Sequence, residues 1–371
     1  MLKKLLFIFL LILSISVIYY FYSKYQNSKL TSGSTIAINQ NIIKLPEDDV
    51  SIYFQNLNVP WEIAFLSENK MIVTERDGNL LLIENKQISQ TFKISEVSQS
   101  GEGGLLGIAV HPNFKENNFI YLYYTISKDS KRENRVVRYT LKDNNLIFNK
   151  IILSDIRANI YHNAGKIEFG PDGYLYVTAG DALDEPAAQD TKQLAGKILR
   201  VTEEGGIPSD NPFNSYVYSL GHRNPQGLTW DDSGNLWSTE HGQSGVVSGL
   251  DELNKIQKGG NYGWPNFRGN QNADNFISPE IHSGNETWAP GDTEYYEGNI
   301  FFTGLRGEAL YKYNLDTKEL KKYFTNEYGR LRAITLGPDN YFYVTTSNRD
   351  GRGTPKDKDD KIIRINPQSL K

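Results

Sequence analysis

Two stretches far apart in the chain read alike: Phe169-Gly170-Pro171-Asp172-Gly173-Tyr174-Leu175-Tyr176-Val177-Thr178 and Leu336-Gly337-Pro338-Asp339-Asn340-Tyr341-Phe342-Tyr343-Val344-Thr345. Each is a Pro/Asp/Gly turn followed by an aromatic-rich run that ends in threonine. Apolar runs joined by glycine-bearing turns mark β-hairpins. Looser copies run from Ile63-Ala64-Phe65 to Met71-Ile72-Val73-Thr74 and from Gly107-Ile108-Ala109-Val110-His111-Pro112 to Tyr121-Leu122-Tyr123-Tyr124-Thr125. Two more are Trp230 with Gly234-Asn235-Leu236-Trp237-Ser238-Thr239, and the degenerate Ile300-Phe301-Phe302-Thr303. The six terminal threonines recur about every 40–65 residues. A further apolar run follows each copy, at 80–83, 136–141, 197–201, 251–256, 309–315 and 361–365. This repeat predicts an all-β fold, a six-bladed β-propeller of four-stranded antiparallel blades. A β-sandwich is the competing account, but sandwiches carry no turn signature repeated at this interval. No sustained helical period appears after residue 25.

Composition agrees. Of 371 residues, 39% are hydrophobic and 23% charged, the proportions of a globular chain and not of a disordered one. Twenty-three Tyr and 17 Phe against 2 Met favour sheets over helical bundles. A net charge of −4 offers no basic surface for nucleic acid. The absence of cysteine excludes disulfides, thiolate zinc sites, a Cys nucleophile and a lipidated N-terminal Cys.

After Lys3 and Lys4 comes an uncharged run, 5–22, broken only by Ser14 and Ser16. As a helix it would rise ~27 Å, enough to cross a bilayer core. It ends Ile18-Tyr19-Tyr20-Phe21-Tyr22 with no Ala-x-Ala-like cleavage site. An interfacial aromatic belt fits that ending better than a cleaved signal peptide does. The expected organisation is a signal anchor over 1–23, a polar linker over 24–48 and a propeller over 49–371 facing outside the cell. Cleavage would instead release a secreted protein.

Several motifs are set aside. Gly101-Glu102-Gly103-Gly104-Leu105-Leu106-Gly107 has the wrong spacing for a dinucleotide fingerprint and no βαβ unit around it. Gly242-Gln243-Ser244-Gly245 misses the nucleophile-elbow spacing by one residue. The acidic run 350–360 lacks calcium-loop spacing and reads as a solvated loop. Asn285-Glu286-Thr287 is a glycosylation sequon that matters only outside the cell.

In a propeller, function gathers on the loops at one mouth of the central channel. Of the five His, His111 precedes Pro112 in a blade turn and reads as structural. His162, in Asn159-Ile160-Tyr161-His162-Asn163-Ala164-Gly165, lies at a blade-to-blade crossing, where a histidine can serve as general base. Equivalent crossings carry Glu102, then Arg223 and Asn224, then Arg330 and Arg332, with Arg306 after the fifth repeat. One arginine alone is most simply a surface ion pair. Several converging on one mouth of an acidic protein imply an anionic ligand, since guanidinium pairs carboxylate or phosphate bidentately. Glu240-His241-Gly242-Gln243 and Asp251-Glu252 supply oxygens of the kind calcium prefers.

With these residues in place, the chain resembles the glucose/sorbosone dehydrogenase family, and within it the pyrroloquinoline quinone (PQQ)-dependent aldose sugar dehydrogenases. The likeness runs over about residues 50–367. It is densest at Gly103-Gly104-Leu105-Leu106-Gly107 with His111-Pro112, Gly221-His222-Arg223-Asn224-Pro225-Gln226-Gly227, Gly259-Gly260-Asn261-Tyr262-Gly263-Trp264-Pro265, and Ser347-Asn348-Arg349-Asp350-Gly351-Arg352-Gly353. The resemblance implies oxidation of aldose sugars at C1 to lactones, with PQQ and calcium as cofactors and a further electron acceptor. It implies His162 as catalytic base and Glu102 beside the reactive hydroxyl. It implies Arg223, Asn224, Arg306, Arg330 and Arg332 as PQQ-binding, with His241 and Asp251 lining the cofactor. Backbone carbonyls of Gly242 and Gln243 match the calcium-binding pair.

Two departures qualify the match. Tyr161 stands where some glucose-specific members carry Asp, and 266–272 lacks the acidic residue of a second calcium site. Long sugar-lid insertions are absent, which implies an open site with a broad substrate range. Two rival functions share the fold. A non-catalytic extracellular binding module predicts loss of His162 or the arginines, and neither is lost. A calcium-dependent sugar lactonase needs acidic metal ligands in the channel in place of an arginine cluster.

Overall fold

The computed structural model describes residues 49–371 except Ser130, 244–247 and 272–273. The anchor and linker expected over 1–48 lie outside the described residues. Among the described residues no helix is long and apolar enough to cross a membrane.

Among the described residues twenty-four strands form six four-stranded antiparallel sheets, as the repeat predicts. The first blade holds β2 to β5 (Pro60–Ser67, Lys70–Glu75, Asn79–Glu84, Gln87–Lys93) and the second β6 to β9 (Leu105–Val110, Phe119–Lys128, Lys131–Lys142, Asn145–Arg157). The third holds β10 to β13 (Ile167–Phe169, Leu175–Ala179, Lys197–Val201, Val217–Leu220) and the fourth β14 to β17 (Pro225–Trp230, Leu236–Glu240, Glu252–Ile256, Ile281–His282). The fifth holds β18 to β21 (Pro290–Tyr296, Asn299–Gly304, Ala309–Asn314, Leu320–Tyr323). The sixth is composite. C-terminal β22, β23 and β24 (Leu331–Leu336, Phe342–Thr346, Lys361–Ile365) receive as their outermost strand β1 (Val50–Gln55), with Val50 opposite Ile365. The ring is thus closed by hydrogen bonds between the two ends of the propeller.

The threonine that ends each repeat lies on the second strand of a blade, and all six are at most 1% exposed. Three bond the next blade: Thr74 Oγ1 donates to the Leu106 carbonyl, Thr239 to Gly291 and Thr303 to Arg332, at 2.6–2.7 Å. A hydroxyl satisfies there a carbonyl that the closely packed inner strands would otherwise bury unpaired. Glycines permit that approach. A Cβ on Gly107 would sit 2.1 Å from the Gly165 carbonyl, and one on Gly291 would sit 2.3 Å from that of Arg332.

Hydrophobic clusters lie between blades, not within them. Ile72 and Leu80 of the first blade pack with Ile120, Leu122 and Val137 of the second; Phe301 and Leu310 of the fifth pack with Phe342 and Ile363 of the sixth. Second strands are therefore covered on both faces, which explains their continuous Val/Tyr/Phe character.

The channel is lined by the inner strands, which descend from the mouth. Below the mouth lies Lys166, whose Nζ is 3.2 Å from Glu62, 3.3 Å from Glu168 and 3.0 Å from Asp292. Burial works against its ammonium, but Asp292, Glu62 and Glu168 outweigh it and hold Lys166 well above the ordinary lysine range. His111 lies at the far end of β6, bonded to Glu203 and Asn117, in the structural role expected of it.

Candidate active site

Two sets of connections meet at the mouth. One joins the outer strand of a blade to the inner strand of the next and carries Glu102, His162, Arg223 and Arg330. The other joins second to third strands and carries Arg76, Asp181, His241 to Gln243, Arg306 and Arg352. Arg306 thus arrives from within the fifth blade, between β19 and β20, and not from a blade crossing as expected. Together they enclose a cavity of about 480 Å³ lined by Glu102, His162, Arg223, His241, Arg306 and Arg330, with Gly242, Gln243 and Asp251 at one side. That size suits a small ligand.

His162 is held from three directions. Its backbone N–H donates to Glu102 Oε2 at 2.8 Å, and its carbonyl accepts from Ala182 N at 3.2 Å. A side chain at Gly180 would strike that carbonyl, with Cβ only 2.0 Å away. Its Nδ1 lies 2.7 Å from Asp181 Oδ1, and Asp181 is fully buried. An ionised carboxylate only accepts, so Nδ1 carries the proton and Nε2 is the nitrogen free to take another.

The arginines differ in what they already hold. Arg330 is a structural clasp as well as a wall: Nε and Nη2 bond Asp350 at 3.0 and 2.8 Å, and Nη1 bonds the Leu305 carbonyl. Arg332 lies deeper, 3.9 Å above the Trp61 ring and with Nη1 on Gln226. It is 6% exposed, yet its Nε and Nη2 have no hydrogen-bond partner among the described residues. Burial pulls its pKa down to about 10 against the opposing pull of Asp292 and Glu62. Burial likewise lowers Arg223. Arg306 is exposed at the rim.

Other expected site residues act from behind. Asn224 is fully buried: its Oδ1 accepts from Ala164 N and fixes the His162 loop. Asp251 borders the cavity, but its oxygens are spent on the backbone N–H groups of Gly242, Trp288 and Ala289 at 2.7–2.9 Å. It shapes the Gly242-Gln243 turn. His241 donates Nε2–H to the Pro290 carbonyl, and burial followed by Arg332 and Arg223 keeps it neutral, well below the ordinary histidine range. Among the described residues no group of three or more His, Asp or Glu could hold a metal by itself. A calcium ion here would rest on the Gly242 and Gln243 carbonyls and on oxygens of a ligand, the hard donors it prefers.

Asp181, Arg76, Trp61 and Arg352 escaped the sequence reading. Arg76 donates to the Asp350 carbonyl and Arg352 to Glu102 at 2.9 Å. The run 350–360 is only half the solvated loop expected, because 351–358 are largely exposed while Asp359 and Asp360 are buried. Asp360 accepts from Asn348 N and Thr346 Oγ1 and so pins the loop to the propeller.

A family model for glucose/sorbosone dehydrogenases matches residues 57–363. Aldose sugar dehydrogenase YliI of Escherichia coli (strain K12) is 30% identical over 363 residues, 86% of this chain and 93% of its own. Quinoprotein glucose dehydrogenase B of Acinetobacter calcoaceticus is 35% identical over 257 residues, 60% of this chain but only 53% of its own length. The PQQ-bound form of aldose sugar dehydrogenase from Streptomyces coelicolor superposes with a TM-score of 0.78 at 35% identity, covering 85% of this chain and 97% of that one. With a six-bladed ring and a family match over residues 57–363, the chain belongs to the glucose/sorbosone dehydrogenase family.

Proposed function

We propose that this protein oxidises aldose sugars at C1 to lactones, with PQQ bound at the arginine-lined mouth and calcium at the Gly242-Gln243 turn. The reading is supported most by Arg332, a buried guanidinium whose Nε and Nη2 have no hydrogen-bond partner among the described residues, in a small recess shared with Arg330. Arg330 also walls the larger cavity with Arg223 and Arg306. Unpaired buried charge is costly unless a ligand completes it. A flat molecule bearing three carboxylates fits that donor set. When bound, PQQ supplies a quinone that accepts two electrons and the C1 hydrogen, sharpened by calcium acting as a Lewis acid.

The chain's own part is orientation and proton handling. His162 Nε2 takes the proton of the C1 hydroxyl while Asp181 holds the Nδ1–H and steadies the cation that forms. Glu102, tied to the His162 backbone, lies where it can accept from a neighbouring sugar hydroxyl. Tyr161 and Leu183 are exposed at the rim, an open boundary that suits a broad range of aldoses. The lactonase alternative lacks the acidic ligand set it requires, and the retained base and arginines oppose a pure binding module.

The test is His162→Gln. It should bind PQQ and calcium near normally, while sugar-dependent quinone reduction falls at least ~10²-fold. A folded, PQQ-loaded variant that reduces at the wild-type rate refutes the assignment. The run 5–22 supports a further part of the reading: an anchored enzyme whose propeller faces outward and passes electrons to an acceptor at the membrane. Intact mass of the native membrane fraction checks it, and a product starting near residue 24 or later refutes it.

A further inference from the structure

Trp264 does not line the large cavity. It lies behind the wall, 7% exposed, in the connection between β16 and β17. Its backbone N–H donates to the Gly221 carbonyl at 2.9 Å, and its own carbonyl accepts from Gln189 Nε2 at 2.6 Å. The ring is therefore fixed between loops of the third and fourth blades. Its Nε1–H donates to Asp181 Oδ2 at 2.8 Å. The other carboxylate oxygen takes Leu183 N at 2.8 Å and His162 Nδ1 at 2.7 Å. Two guanidinium groups also lie within cation–π range of the indole, Arg223 at 5.4 Å and Arg268 at 5.1 Å from the ring. Arg268 in turn donates to Gln243 Oε1 at 2.7 Å.

We propose that Trp264 is a positioning residue that joins the His162–Asp181 pair to the cofactor wall. Its N–H orients the carboxylate that selects the His162 tautomer, and its ring seats Arg223 and Arg268. Hydrogen-bond supply sets the orientation of this carboxylate. Asp181 is fully buried, so its oxygens depend on protein donors. The indole N–H occupies Oδ2 and leaves Oδ1 aimed at Nδ1. Without it the carboxylate turns to recover a donor, and the imidazole drifts toward the Nε2–H tautomer that free histidine prefers. That form presents a proton where the substrate needs a lone pair. The same ring supports Arg223, so one residue sets both the base and the nearest cofactor-facing cation. The proton-transfer consequence rests on the reading of His162 as base given above.

The experiment separates donor from ring. In the full chain, Trp264 is replaced by its benzothiophene analogue, which keeps the ring faces but has sulfur for N–H. Ring nitrogens of His162 are read by ¹⁵N NMR without cofactor, assigned by their loss in His162→Gln, and melting curves confirm folding. The wild type should hold its proton on Nδ1. The analogue should shift population to Nε2–H and slow sugar-dependent quinone reduction about tenfold or more, with PQQ affinity within roughly twofold. Trp264→Leu, which removes the ring as well, should also weaken PQQ. An unchanged His162 tautomer in the folded analogue protein overturns the proposal, whatever the activity. Unchanged PQQ affinity in Trp264→Leu overturns the seating of Arg223. A shifted tautomer with an unchanged rate upholds the positioning and refutes His162 as base.

Discussion

The upper and lower halves of the central channel are built from the same inner strands but hold charge in opposite ways. Below the mouth, Lys166 is ringed by Glu62, Glu168 and Asp292, and every donor it offers is answered. Nearer the mouth, Arg332 on β22, which packs between β18 and β2, keeps Nε and Nη2 buried with no hydrogen-bond partner among the described residues. The difference separates structure from function. A buried charge that the chain pairs itself is part of the scaffold. One that it leaves waiting describes the ligand, here an anion.

Lys166→Met strands Glu62 and Asp292 in the interior and should destabilise the protein by ~3–5 kcal/mol at neutral pH. A denaturant melt checks it, and a loss under ~1 kcal/mol would mean the carboxylates simply take up protons. Arg332→Met should do the reverse. The cofactor-free protein should melt no lower than the wild type, while PQQ affinity falls more than ~10-fold, because charge-assisted bonds to a bound anion are lost. Arg223→Ala should weaken PQQ by at least ~10-fold without the stability gain, since its backbone and ring contacts hold the wall. Titration with PQQ alongside thermal melts tells the two arginines apart.

The smallest effect concerns the bottom of the channel. Burial, then repulsion from Glu168, raises Glu294 to about 8. A carboxyl raised in the fold contributes stability below its unfolded pKa, and that contribution is lost as pH climbs through about 8. Glu294→Gln should therefore gain on the wild type between pH 5 and pH 9. Because Glu294 is partly exposed to the lumen, the gain should be ~1 kcal/mol or less. A melting-temperature difference that does not change with pH would refute it.

How much of this was legible in the sequence follows from burial. Second and third strands are covered on both faces, so their apolar runs stand out, and every predicted third strand from 80–83 to 361–365 is present. Outer strands are short or solvated and left little signal: β5 is almost wholly exposed, and β17 has two residues. Nor did the sequence pattern reveal that Val50–Gln55 belongs to the last blade, because pairing across the whole chain leaves no local mark. In the site, residues at blade crossings were readable because the repeat locates the crossings. Asp181, Arg76 and Arg352 lie in second-to-third-strand turns, and Trp264 in a long third-to-outer-strand connection. None is marked by spacing, and only packing brings them to His162, Asp350, Glu102 and Asp181 respectively.

The composite sixth blade has a consequence for how the molecule is made. β1 emerges from the ribosome well before β24, yet among the described residues β24 is its one strand neighbour, and Leu57 exchanges backbone bonds with Asp360. Through most of translation the first strand therefore waits as an unpaired edge, the kind of surface that recruits wrong partners. Joining the ends means closing a loop of about three hundred residues, a slow and late event in folding. A chain ending just short of residue 361 would lack β24 and leave β1 without the strand it pairs with.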